Sequence, residues 1–130
     1  MRSKVPDRKN ALSIIEAAKL TMDFTLKMEF SEQSATTIVR NIYECFRSLG
    51  DALLVNKGIN SEDHVLPMRE ISSLDINSER PISSVENLRR LRHNVNYYGY
   101  IPKINEVNDA IAIAKACFYK AYEKIKEGLH

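Results

Sequence analysis

The run NEVNDAIAIAKACFYKAYEKIKEG, residues 105–128, decides the fold class. Its apolar positions Val107, Ala110, Ile111, Ala114, Cys117, Phe118, Ala121, Tyr122 and Ile125 recur in steps of three and four. That spacing gathers them on one face of an α-helix, because neighbours on a helix surface lie three and four residues apart. A strand would show strict alternation instead, and no stretch of this chain alternates for longer than chance. Gly128 is the expected end of the helix.

The pattern repeats toward the N-terminus. From Asn10 to Phe30 the residues Leu12, Ile15, Ala18, Met22 and Leu26 form one row, and Ile14, Ala17, Leu20 and Phe24 form a second that widens the face. Asn10 is the expected N-cap, since its side-chain oxygen can accept an orphan backbone N–H. Residues 1–9, with Pro6 and Asp7-Arg8-Lys9, read as a charged arm. A second long helix carries Ile38, Ile42, Phe46, Leu49 and Leu53 and ends at Lys57-Gly58. Gly50, inside it, costs about 1 kcal/mol relative to Ala and so marks close packing or a bend. Ser61-Glu62-Asp63 opens a short helix through Val65, Leu66, Met68 and Ile71, kept short by Pro67. Asp75 to Pro81 reads as a loop. Ser83 and Glu86 have capping-box spacing, and a helix through Leu88, Leu91 and Val95 should follow, closed by Gly99. Four long helices and one short one predict an all-α antiparallel bundle, a single domain over residues 10–128.

The totals agree with one globular domain: 130 residues, 44% hydrophobic and 28% charged, which supplies a core. Met1-Arg2-Ser3-Lys4 is followed by no apolar signal core. No uninterrupted apolar run approaches the roughly 20 residues a membrane span needs. A cytoplasmic protein without membrane association is therefore expected. Cys45 and Cys117 both fall in apolar helical patterns and read as buried, reduced thiols. Neither has zinc-site spacing, and there is no phosphate-binding glycine loop or dinucleotide fingerprint, so no metal or cofactor is expected. His64, beside Glu62 and Asp63, is weighed as a metal ligand against a packed or surface histidine, and the latter is preferred. A net charge of +2 is too small to argue for nucleic acid by itself, so that argument must rest on local clustering.

One stretch clusters. Leu88-Arg89-Arg90-Leu91-Arg92-His93-Asn94-Val95-Asn96-Tyr97-Tyr98-Gly99-Tyr100 holds three arginines within four residues, then a histidine, two asparagines and three tyrosines. Val85, Leu88, Arg92 and Val95 share a stripe, so Arg92 lies on or beside the buried face. Arg89, His93 and Asn96 form another row, and Arg92 and Asn96 are i,i+4 neighbours. A guanidinium beside an apolar stripe cannot shed its charge, so it must find a carboxylate, a carbonyl or an anion-admitting cleft. The alternatives are an Arg92 paired to an acid on a neighbouring helix and an Arg92 open to a ligand. Arg89 and Arg90 fit a solvated face.

The layout and this stretch together resemble the HEPN domain (higher eukaryotes and prokaryotes nucleotide-binding). Its hallmark is an arginine with a polar neighbour and a histidine after four to six intervening residues. Arg92-His93 match the arginine and its neighbour, while Tyr97, Tyr98 and Gly99 stand where the histidine would be. Active members resemble metal-independent ribonucleases whose arginine and histidine converge at a dimer cleft. Many are toxins or defence components, some paired with a small nucleotidyltransferase. The resemblance implies a homodimer, Arg92 as the phosphate-binding group, His93 as a polar helper and Tyr97 in the histidine's place. A phenol stays protonated through the physiological range and is a poor general base, but it can stack on a base or donate a hydrogen bond. The expectation is RNA or nucleotide binding through Arg89, Arg92, Asn96 and Tyr97, with weak or absent cleavage. Two readings stand beside it: a non-catalytic module partnering a nucleotidyltransferase, and a ribonuclease in which His93 acts, with Arg92, His93 and Tyr97 as catalytic candidates.

Overall fold

A computed structural model of the chain describes residues 2–3, 5–60, 63 and 65–129. The chain is all-α. Helices α1 (Arg8–Thr25), α2 (Glu32–Asn56), α3 (Val65–Ser72) and α4 (Val85–Tyr98) are followed by one long rod. That rod runs as α5 (Ile104–Ile113), a π-helical turn (Ala114–Phe118) and α6 (Tyr119–Gly128). The four long helices and one short one are those the apolar spacing predicts.

Several boundaries differ from the sequence reading, each for a local reason. Asp7, not Asn10, caps α1: the Asn10 backbone N–H donates to Asp7 Oδ1 at 3.0 Å. The helix therefore absorbs Arg8 and Lys9, which the sequence assigns to an arm. The arm is also not free of structure, since Arg2–Ser3 pair antiparallel with Ile59–Asn60. At the other end α1 stops at Thr25 instead of reaching Phe30. Ser31 and Ser34 exchange side-chain and backbone bonds at 3.0 and 2.8 Å, which starts α2 at Glu32. The box expected between Ser83 and Glu86 does not form. A 3-10 turn over Ile82–Ser84 already carries the chain into α4 with helical backbone, and Glu86 bonds Arg89 instead. Asp63 opens α3 by accepting from the Val65 and Leu66 N–H groups, both at 3.1 Å. Pro67 is then third in the helix, where a missing N–H costs nothing. Gly99 ends α4 at φ 61°, the left-handed position its sequence context predicts.

Polar ties show how the rods run. The Asn41 amide donates to Thr25 Oγ1 at 3.1 Å, so the first half of α2 lies beside the end of α1. The Arg40 guanidinium donates to Asn96 Oδ1 at 2.8 Å, which sets α4 antiparallel to α2. The Tyr119 hydroxyl donates to Asp23 Oδ1 at 2.5 Å and the Tyr122 hydroxyl to Glu16, which sets α6 antiparallel to α1. Between them Ile15, Met22, Ile38, Ile42, Phe46, Leu49, Phe118 and Tyr122 form one continuous core. The Phe46 and Phe118 rings meet edge-on, centroids 5.5 Å apart. The first row of α1 is the buried one. The second is not: Leu20 and Phe24 are 72% and 66% exposed, because α2 and α6 occupy only two sides of α1. Among the described residues no helix is long and apolar enough to cross a membrane.

Gly50 is the point of closest approach. A Cβ built there would lie 2.1 Å from the Pro67 carbonyl oxygen, so only glycine lets α3 settle on α2. Gly50→Ala should therefore destabilise by about 1–3 kcal/mol, the overpacking penalty exceeding the helix-propensity gain of about 1 kcal/mol. Gly128→Ala, with nothing within 4 Å, should be neutral or slightly stabilising. Urea unfolding of both variants measures the contrast.

The α1–α6 ties also set an acid limit. The Tyr122 hydroxyl, with Lys126 and Lys19 nearby, holds the Glu16 carboxyl below its ordinary range. The Tyr119 hydroxyl and Lys19 do the same for Asp23. Carboxyls with folded pKa values below their unfolded ones stabilise above the unfolded values and lose that contribution as pH falls through the folded ones. Melting temperature should thus drop on acidification below about pH 4.5. The Tyr119→Phe/Tyr122→Phe double variant, followed by thermal melts across that range, should show a shallower drop.

Candidate functional site

The arginine-rich helix α4 buries Val85, Leu88 and Val95 and turns its other faces two ways. Arg89, Arg92 and Asn96 look toward α2 and α3. Arg90, His93, Tyr97 and Tyr98 are exposed.

Arg92 sits at the centre of the inward group. Its side chain is 21% exposed, and its guanidinium lies 5.2 Å from the centroid of the Tyr43 ring. Tyr43 is fully buried, so Arg92 rests on an aromatic floor. The acid that the sequence reading asks for is present: Glu44 Oε1 is 3.9 Å from Arg92 Nη2. That is a long pairing, and Glu44 gives its strong bond elsewhere, accepting from Arg47 Nε at 2.9 Å through Oε2. Arg92 makes no hydrogen bond to any described residue. Both alternatives drawn from the sequence are thus partly realised: Arg92 has an acidic neighbour, and its donors remain open.

The flanking groups extend a charged seam. Arg40 bonds Asn96. Arg89 Nε and Nη2 both donate to Glu86 Oε1, at 2.8 and 2.6 Å, so Arg89 is tied along its own helix rather than simply solvated. Burial pushes the Tyr43 phenol up, with Arg92, Arg47 and Arg89 pulling it back and Glu44 adding to the rise. Burial likewise raises the Asp51 carboxyl, opposed by Arg47. Four guanidiniums, Arg40, Arg47, Arg89 and Arg92, thus share the seam with Glu44, Asp51 and Glu86. Beyond Arg89 a groove of about 410 Å³ between α3 and α4 is lined by Met68, Arg69, Ser72 and Ser83 among others. Arg69 is exposed and has no ion pair among the described residues.

His93 does not join Arg92. Consecutive residues point about 100° apart around a helix, and the His93 ring packs outward on Tyr97, centroids 4.6 Å apart and tilted by 37°. Tyr98 meets its edge at 5.9 Å. Tyr97 and Tyr98 are 69% and 75% exposed. The sequence candidates therefore divide into a guanidinium seam with Arg89, Arg92 and Asn96, and an outer aromatic cluster with His93 and Tyr97.

The sequence reading missed Arg40, Tyr43, Glu44 and Arg47. Arg40, Glu44, Arg47 and Asp51 follow each other in steps of four, three and four, a readable polar row. Nothing in that row says which helix it will face. Cys45 and Cys117 are buried free thiols. Burial, helped by Glu44, pushes Cys45 up to about 12. Burial also raises Cys117, whose thiol donates to the Arg80 carbonyl at 3.3 Å. Both are inert at neutral pH. No three His, Cys, Asp or Glu side chains gather to hold a metal among the described residues. His64 and Glu62 lie outside them.

No known family's sequence profile, no curated protein and no solved structure matches this chain.

If Glu44 restrains Arg92 only weakly, Glu44→Gln should change stability by about 1 kcal/mol or less at the Arg92 contact. A double-mutant cycle pairing Glu44→Gln with Arg92→Gln should accordingly give a smaller coupling than one pairing it with Arg47→Gln. The reverse order, read by urea unfolding, would show that Glu44 belongs chiefly to Arg92.

Proposed function

We propose that this chain is a HEPN-like domain that binds RNA or nucleotide through its guanidinium seam, with weak or absent ribonuclease activity. Arg92 and Asn96 contact the phosphate and Tyr97 the base. The observation that carries the reading is the state of Arg92: a partly exposed guanidinium on the buried Tyr43 ring, 3.9 Å from its nearest carboxylate oxygen, with its donors unspent. A guanidinium keeps its charge, and its planar fork of donors matches phosphate oxygens. Arg40 adds a second guanidinium with no carboxylate partner among the described residues, while Arg47 and Arg89 are paired with Glu44 and Glu86.

The weak-cleavage part rests on Tyr97 in place of the motif histidine and on His93 turning away from Arg92 within one copy. In the HEPN arrangement two copies face each other, so a homodimer is part of the proposal. The second reading, a non-catalytic partner of a nucleotidyltransferase, draws on a specific feature. Tyr97, Tyr98, Ile101 and Ile104 leave an apolar surface exposed near the end of α4.

Fluorescence anisotropy with short RNAs tests the proposal. Arg92→Ala, folded by circular dichroism, should lose at least about tenfold in affinity, or about 1.4 kcal/mol. The salt slope should also fall by about one phosphate contact. Equal affinity in the two proteins overturns the proposal. Incubation with structured RNA, with His93→Ala as control, separates binding from cleavage. Robust turnover that the substitution abolishes would favour the ribonuclease reading.

A further inference from the structure

The donors and acceptors of the seam specify its ligand more narrowly than its charge does. Arg40 Nε donates to Asn96 Oδ1 at 2.8 Å. Arginine has donors and no acceptor, so the Asn96 amide must turn its oxygen inward to Arg40 and its NH2 outward. Arg40 itself is exposed, with its terminal nitrogens unused by any described residue. Arg92, one helical turn before Asn96 on α4, adds a further set of open donors. The patch made by Arg40, Asn96 and Arg92 therefore presents donors, and the Glu44 carboxylate beside it, 3.9 Å from Arg92 Nη2, already accepts from Arg47. The complement of those donors is a group that only accepts and carries negative charge, which is the description of a phosphodiester.

The next residue along the helix presents the opposite chemistry. Tyr97 is backed by the His93 ring at 4.6 Å and is 69% exposed, so its other ring face is open. Tyr98 buttresses His93 from the side, at 5.9 Å and 72° between planes. An aromatic face braced by a second ring, one residue along the helix from Asn96, fits a planar base. Inside a duplex that face of the base is covered by its neighbour in the stack, so an unpaired base is needed. Past Arg89, the groove between α3 and α4 is lined by Arg69, Ser72 and Ser83, with Glu86 held by Arg89, and continues the polar path. One phosphate and one base would satisfy a mononucleotide, but the continuing path fits a chain.

We infer that the site takes single-stranded RNA, with a backbone phosphate held among Arg40, Asn96 and Arg92 and an unpaired base stacked on the open face of Tyr97. This rests on the RNA-binding reading above and adds Arg40, from a different helix, as a phosphate contact.

The test uses the full chain, a fluorescein-labelled single-stranded octaribonucleotide, the same octamer annealed to its complement, and inorganic polyphosphate as an unlabelled competitor. The single strand should bind at least about tenfold more tightly than the duplex, since only it frees a base. Tyr97→Ala should weaken single-strand binding about five- to 150-fold, the worth of one stacked base, while polyphosphate competes as before. Arg40→Gln should weaken RNA and polyphosphate alike and lower the salt slope by about one, which a purely structural role would not do. Both side chains are exposed, and matched thermal melts verify folding. If duplex and single strand bind equally and Tyr97→Ala equals wild type, the inference is overturned, while a loss on Arg92→Ala would leave the proposed function standing. Absence of RNA binding by the wild-type chain overturns both.

Discussion

Helix α2 packs against α1, α3, α4 and the long C-terminal rod, and this burial confines its charge to one row. Ile38, Ile42, Phe46 and Leu49 are each fully buried on it. Together they contribute roughly 6–12 kcal/mol relative to exposure. An ion pair at the surface contributes about 0–1 kcal/mol. The apolar face therefore decides the rotation of α2, and Arg40, Glu44, Arg47 and Asp51 take the position that remains. Part of that row borders α4, where Arg40 bonds Asn96 and Glu44 lies 3.9 Å from Arg92. The seam follows from the core and was not assembled by its own ion pairs.

The same constraint explains the state of Arg92. Helix α4 also orients by its apolar residues, and Val85, Leu88 and Val95 leave Arg92 at the margin of the buried stripe. There it meets the Tyr43 ring and the Glu44 carboxylate. A cation on an aromatic face gains about 0.5–2 kcal/mol, enough to hold the guanidinium in place without using its hydrogen-bond donors. Glu44 is shared with Arg47, so no carboxylate is committed to Arg92 alone. The result is a guanidinium that is positioned yet not consumed. Asn96, its amide turned by Arg40, is positioned in the same sense. Pre-set donors of this kind bind an anion at less entropic cost than freely rotating side chains.

The differences between sequence and structure concentrate where local signals compete. Asn10 and Asp7 can both cap a helix; Asp7 prevails because its carboxylate meets the Asn10 N–H and α1 gains a turn. Ser83 and Glu86 have the spacing of a box, but a 3-10 turn reaches helical geometry first and Glu86 is left to Arg89. In α1 the periodicity marks two apolar rows without ranking them. Only the placement of α2 and α6 shows that Ala17, Leu20 and Phe24 face outward. Gly50 signals close packing by its cost in a helix, while its partner, the Pro67 backbone, is invisible until α3 is docked.

What the sequence by itself determined is the set of helices, the stops at Gly58 and Gly99, the burial of Ile15, Met22, Phe46 and Phe118, and the singularity of residues 88–100. These depend on periodicity and on backbone freedom, which act within a few residues of chain. Only the tertiary structure decided what surrounds Arg92. Tyr43, Glu44 and Arg40 lie some fifty residues away along the chain, and they meet α4 because two buried faces fix the rotation of two antiparallel helices. The separation of His93 from Arg92 is likewise set by that rotation. Adjacent residues on a helix diverge by about 100°, so turning Arg92 toward α2 turns His93 toward Tyr97 and the solvent.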